Sequence, residues 1–231
     1  MSARSDHGWW PYLAPYGLFL AIADLGSRMP ENTAPLMLVL RVAVPGALLL
    51  VFAWRGRFPE LRGFRPGLGG LADIAAGLAI AALWVVPYLV FPNLPQPVAG
   101  EGFDASILGG GREAIALTIR VTGFVLVTPF LEELFVRSFL IRYAEVYDTG
   151  EDFRTVPMAR YQRRAFWVTV VWFTFTHAQW EWLVAFPTGI LLNLWLYRRG
   201  HLGAPILAHM VANGAIAAAV LLGPDVLGIF L

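Results

Sequence analysis

The sequence predicts an all-α, multi-span transmembrane helix bundle of about seven spans (six to eight), built as a single membrane-embedded domain over residues 1–231. Three observations carry this. Of the 231 residues 58% are hydrophobic and only 14% are charged, and the mean hydropathy of +0.62 is far from the soluble globular average. Apolar runs recur at the length a helix needs to cross a bilayer, roughly 20 residues. Several of the nine tryptophans, among them Trp9, Trp10, Trp54, Trp180 and Trp182, stand where those runs meet polar loops, as interfacial anchors do.

Residues 9–26 form a short apolar stretch with two prolines, followed by runs over 34–54, 69–91, 113–140, 165–180, 183–197 and 203–222. The first also fits a secretory signal, since Arg4 precedes it and Ala21-Ile22-Ala23 resembles a cleavage site. Pro11, Pro15 and the Trp9-Trp10 pair favour a retained helix. The stretch 92–112 is rich in Pro and Gly and reads as an irregular external segment. Its Gly109-Gly110-Gly111 run lacks the Lys-Ser/Thr of a phosphate loop. No repeat and no second domain is visible.

Arginines set the orientation, because positive charge stays on the cytoplasmic side. Arg55, Arg57, Arg62 and Arg65 crowd the second loop, Arg142, Arg154, Arg160, Arg163 and Arg164 the fourth, and Arg198 and Arg199 the sixth. The N-terminus is therefore expected inside and the C-terminus outside. The lipid bilayer is the first partner, and no nucleic-acid partner is expected; the net charge of +1 by itself excludes little. The chain has no cysteine, so a disulfide, a thiolate nucleophile and a cysteine metal site are all ruled out. Any catalyst must be Ser, Thr, Asp, Glu or His.

Ionisable residues at membrane depth are costly, and by default they are paired, bundle-facing and functional. Thr128 to Leu140, TPFLEELFVRSFL, holds three such residues. On a helix Glu133 and Arg137 are four apart and share a face, so they form an ion pair, while Glu132 points about 100° away and stays available. Further along come His177, then His209 and Asn213, four apart on one face. By helical rise Glu132, His177 and Asn213 all fall roughly 15–20 Å from the cytoplasmic end. Three helices thus offer polar groups at one level. A carboxylate beside an imidazole activates water, and a second imidazole with an amide donates to an oxyanion. Taken singly, each His or Asn reads as well as a packing residue that bridges helices. The cavity is expected to open toward the cytoplasmic half. Glu181 and His201 sit at span ends near water and read as structural. Arg41 and Arg120, inside apolar runs, snorkel or find a carboxylate such as Asp73. HExxH, GxGD and GxSx, the signatures of other intramembrane proteases, do not occur as sites.

Glu132-Glu133-x-x-x-Arg137, Phe173-x-x-x-His177 and His209-x-x-x-Asn213, in that order on successive helices, resemble the three motifs of the CAAX protease and bacteriocin-processing family, glutamic-type intramembrane endopeptidases that include type II CAAX prenyl endopeptidases. The resemblance covers about residues 110–222. It implies that Glu132 and His177 activate water, that His209 and Asn213 form the oxyanion site, and that Glu133 and Arg137 support them. EELFVRSFLIRY, DFRTVP and NLWLYRRGHLGAPILAH are also similar to the subset beside exosortase systems, which implies a bacterial inner membrane. The implied substrate is a membrane-associated, in some members lipidated, peptide or protein. No cofactor is required. Zinc held by Glu132, His177 and His209 is the alternative, although a third protein ligand would leave no base unless Glu133 left Arg137. A small transporter and a peptide-binding scaffold remain open. A transporter would show pseudosymmetry between halves, whereas the polar residues gather in the second half.

Overall fold

The computed structural model describes residues 8–63, 69–91, 93–96, 103–223 and 225–230. Arg4, Arg65 and residues 92 and 97–102 of the stretch 92–112 lie outside them. The described residues are helical, with no strand among them. Seven helices follow in order: α1 (Trp10–Arg28), α2 (Ala34–Trp54), α3 (Gly69–Val90), α4 (Glu113–Val146), α5 (Arg163–Phe175), α6 (Trp182–Arg199) and α7 (Gly203–Leu222). The helices α2, α3, α4 and α7 are long and apolar enough to cross a membrane. The described part of the stretch 92–112 is irregular apart from a 3-10 turn at Ala105–Leu108.

Pairing follows the short connections. The helices α1 and α2 form one hairpin and α5 and α6 another, and α3 packs along α7. The last contact is close because Gly77 has no side chain. A Cβ there would stand 2.4 Å from the Ala208 carbonyl oxygen and 2.7 Å from Val211 Cβ. Between α6 and α7 the chain reverses at Gly200, whose φ of 74° and N–H bond to Leu196 O close the helix with a left-handed cap. The first helix belongs to the bundle, since Tyr12, Tyr16 and Phe19 are buried against Leu131, Leu134 and Phe135 of α4.

The 34-residue α4 is the axis of the site, and it is not a regular α-helix. It changes to π pitch over Gly123–Val127 and again over Glu133–Leu140. In the first section Thr128 N–H reaches back to Gly123 O. The next donor in that register would be Pro129, which has no N–H, so the Phe124 carbonyl is left for another partner. The helix α5 also departs from expectation. The span expected over 165–180 ends as a helix at Phe175, and Thr176 N–H bonds Trp172 O. Thirteen residues rise only about 20 Å, less than the roughly 30 Å hydrocarbon thickness. An irregular turn such as 176–181 is tolerated at membrane depth only around a cavity or inside protein.

Candidate active site

That cavity is present. Glu132 of α4, His177 and Glu181 of the turn, Thr188 of α6, and His209 and Asn213 of α7 line one space of about 70 Å³. A single water needs only about 10–15 Å³ of such room. Ile80, Trp84, Phe124, Thr128, Phe173, Ile216 and Phe230 complete the wall.

Each polar group is set by its backbone. Glu133 and Arg137, both fully buried, form the pair that their spacing prescribes, with Arg137 Nη1 donating to Glu133 Oε1 at 3.0 Å. The guanidinium also donates from Nε to Asn193 Oδ1 at 3.2 Å and lies 4.5 Å over the Phe173 ring. Asn193 is fixed in turn by donating to Thr169 Oγ1 at 2.8 Å and Phe166 O at 3.2 Å. This cluster stands behind the cavity and joins α4, α5 and α6. Glu133 Oε1 also accepts from His209 Nδ1 at 2.8 Å, so Nε2 of His209 is its remaining ring nitrogen.

His177 is oriented in the same way. Its Nδ1 is 2.6 Å from Phe173 O, and a carbonyl only accepts, so Nδ1 carries the proton and the Nε2 lone pair is left over. The ring packs on Phe173 and Trp84, and Trp84 Nε1 donates to Thr188 Oγ1 at 2.8 Å. Asn213 Nδ2 donates at 2.8 Å to Phe124 O, the carbonyl that the π register and Pro129 release, and its second amide proton and Oδ1 remain. Glu132 differs from all of these. It is 7% exposed, receives no hydrogen bond among the described residues, and holds its buried Oε2 without a partner.

The structure corrects three expectations. Glu181 does not stand in water at a span end; the early stop of α5 turns it inward to line the cavity, with its Oε2 accepting from Ala178 N–H at 2.9 Å. Asp73 does not serve Arg41 or Arg120, because it accepts from Arg199 Nε and Trp195 Nε1, each at 2.9 Å, and so ties α3 to α6. The cavity does not open toward the arginine-rich end. It continues into a wider vestibule of about 370 Å³ lined by Phe19, Ala23, Arg41, Arg120, Thr176, Trp180 and Ile229, of which Arg41 and Arg120 lie in the first halves of α2 and α4, away from the arginine-rich loops that follow those helices. The arginine-rich end holds a separate space of about 430 Å³, lined by Trp9, Phe139, Tyr143 and Phe153, which shares no residue with the cavity. Tyr12, Phe58, Phe139 and Phe153 pack ring on ring there, and Arg142 is clasped to Glu60 at 3.5 Å.

Among the described residues, no three His, Cys, Asp or Glu side chains are grouped as a metal site would require. Residues 114–215 match the family model described as Rce1-like, type II CAAX prenyl endopeptidase Rce1-like. Glu132, Glu133, Arg137, His177, His209 and Asn213 all fall inside that match, whereas Arg41 and the α1 to α3 contacts fall outside it. No curated protein and no solved structure matches the chain.

Proposed function

We propose that this chain, whose residues 114–215 form an Rce1-like domain, is an intramembrane endopeptidase that cleaves a membrane-associated peptide or protein with water activated by Glu132 and His177. One observation carries the reading. A buried carboxylate that nothing among the described residues satisfies shares a water-sized cavity with an imidazole whose Nε2 lone pair is free.

In this mechanism water sits between Glu132 and Nε2 of His177. Glu132 takes one proton as the oxygen adds to the scissile carbonyl carbon. The oxyanion that forms receives the second N–H of Asn213 and, when His209 is doubly protonated, its Nε2–H. Glu133, held by Arg137, supports that imidazolium through Nδ1–H. Glu132 then returns its proton to the leaving nitrogen, the C–N bond breaks, and the second water proton passes to Nε2 of His177, so a carboxylate and an amine result. The arginine-rich loops support a multi-pass protein of a bacterial inner membrane with a cytoplasmic N-terminus, and EELFVRSFLIRY with NLWLYRRGHLGAPILAH supports the exosortase-associated subset.

The test is direct. Purified protein in detergent is incubated with membrane-anchored candidate peptides, with and without a chelator, and products are read by mass spectrometry. Defined internal cleavage that survives chelation supports the metal-free reading. Cleavage abolished by chelator and restored by zinc replaces it with the zinc version, and no cleavage of any peptide counts against the peptidase.

A further inference from the structure

Arg41 stands in α2, outside the Rce1-like match, and the mechanism does not use it. It is seven residues into the helix, about 10 Å from its start at 1.5 Å per residue. Among the described residues it forms no hydrogen bond and no ion pair; its guanidinium lies 5.0 Å over Phe19, and its buried Nε has no partner. A guanidinium at membrane depth is retained where it faces a partner, a water-filled space or a ligand. Arg41 faces the vestibule, with Arg120 from α4 on the same wall. Glu132 and Glu181 line that space too; the Glu132 charge acts on Arg41 from beyond ion-pair distance, and Glu181 is turned back onto Ala178 N–H.

Vestibule and cavity are continuous, since Phe124, Thr128, Glu132, His177, Glu181 and Phe230 line both. A chain segment whose scissile bond lies at Glu132 therefore runs past Arg41 on one side. A planar, always charged guanidinium suits a two-oxygen anion at that point. We propose that the vestibule is an anion subsite in which Arg41, with Arg120 beside it, takes a carboxylate of the bound segment, either an acidic side chain or a terminal carboxylate. What the segment is rests on the peptidase reading; the subsite itself does not.

The test measures binding in the Glu132→Gln protein, where proposed turnover is removed. The probes are an N-acetylated apolar tetrapeptide with a free C-terminus, the same peptide as its C-terminal amide, and an amide whose last residue is Glu. Titration calorimetry in detergent is expected to show one or both acidic peptides binding at least about tenfold more tightly than the plain amide, the worth of one charge-assisted hydrogen bond. Adding Arg41→Gln is expected to abolish the difference, and Arg41→Lys to keep part of it. The free-acid and Glu-amide arms separate the two carboxylate sources. Equal or undetectable binding of acid and amide, or a preference that survives Arg41→Gln, overturns the proposal. If nanodiscs of phosphatidylglycerol compete with the acidic peptide and this competition is lost in Arg41→Gln, the subsite serves a lipid phosphate and the carboxylate assignment falls. Absence of cleavage by the wild-type protein with the binding preference intact would refute the peptidase and leave the subsite standing.

Discussion

Replacing Glu133 by glutamine keeps the shape of the side chain and removes its charge, which isolates what that charge does for Arg137. Arg137 is fully buried and has one carboxylate partner at 3.0 Å; its other acceptors, Asn193 Oδ1 and Gly189 O at 3.5 Å, are neutral. Removing one partner of a buried pair costs about 3–5 kcal/mol, because the other charge is left uncompensated. The amide oxygen introduced by Glu133→Gln can still accept one bond, so the lower end, ~3 kcal/mol, is expected. For a chain of this size about 1 kcal/mol moves Tm by roughly 2–4 °C, so Glu133→Gln lowers Tm by roughly 6–12 °C. The nine tryptophans make intrinsic fluorescence on heating in detergent a suitable assay. Glu132→Gln, which touches no ion pair, leaves Tm within about 2 °C, a shift below 1 kcal/mol on the same scale, and Glu133→Gln with Arg137→Gln recovers part of the loss. A Glu133→Gln protein that melts with the wild type would refute the buried-pair argument.

Gly77→Ala places a methyl against Ala208 O and Val211, so it destabilises the α3–α7 contact by about 1–3 kcal/mol, read from the same melting curves. Asp73→Asn weakens the tie to Arg199 and Trp195 and lowers stability by about 1.5–3 kcal/mol; an unchanged Tm would mean the clasp contributes nothing. Ala23→Cys, in a chain without cysteine, lines the vestibule, so a membrane-impermeant maleimide labels it in intact spheroplasts from the face opposite the arginine-rich loops. Labelling only after permeabilisation would place the mouth on the other side.

The spans were readable because apolar run length maps onto helix length, and the Glu133–Arg137 pair because four residues make about one helical turn. Depth counting from the arginines brought Glu132, His177 and Asn213 to one level, and they line one cavity. What escaped depends on partners distant in sequence or on backbone register. Residues 176–180, Thr-His-Ala-Gln-Trp, are less apolar than the run before them, but composition alone does not show that α5 stops at Phe175 and that Glu181 turns to the cavity. The π register of α4, which frees Phe124 O for Asn213, leaves a trace only in Pro129. Asn193 is one polar residue in an apolar stretch of α6, and its bond to Arg137 across 56 positions has no local signal. The direction of the mouth is not legible in the arginines, which mark the side a loop lies on, whereas the opening is set by how the helices pack and where the short α5 leaves a gap.

The central claim is that Glu132 is the base. It is tested most directly by comparing cleavage of one membrane-anchored peptide by wild type and Glu132→Gln at equal concentration and matched thermal stability. The account predicts a rate lower by about 10²–10⁴-fold, the usual contribution of a positioned general base, with Tm unchanged. Full activity in Glu132→Gln would contradict it.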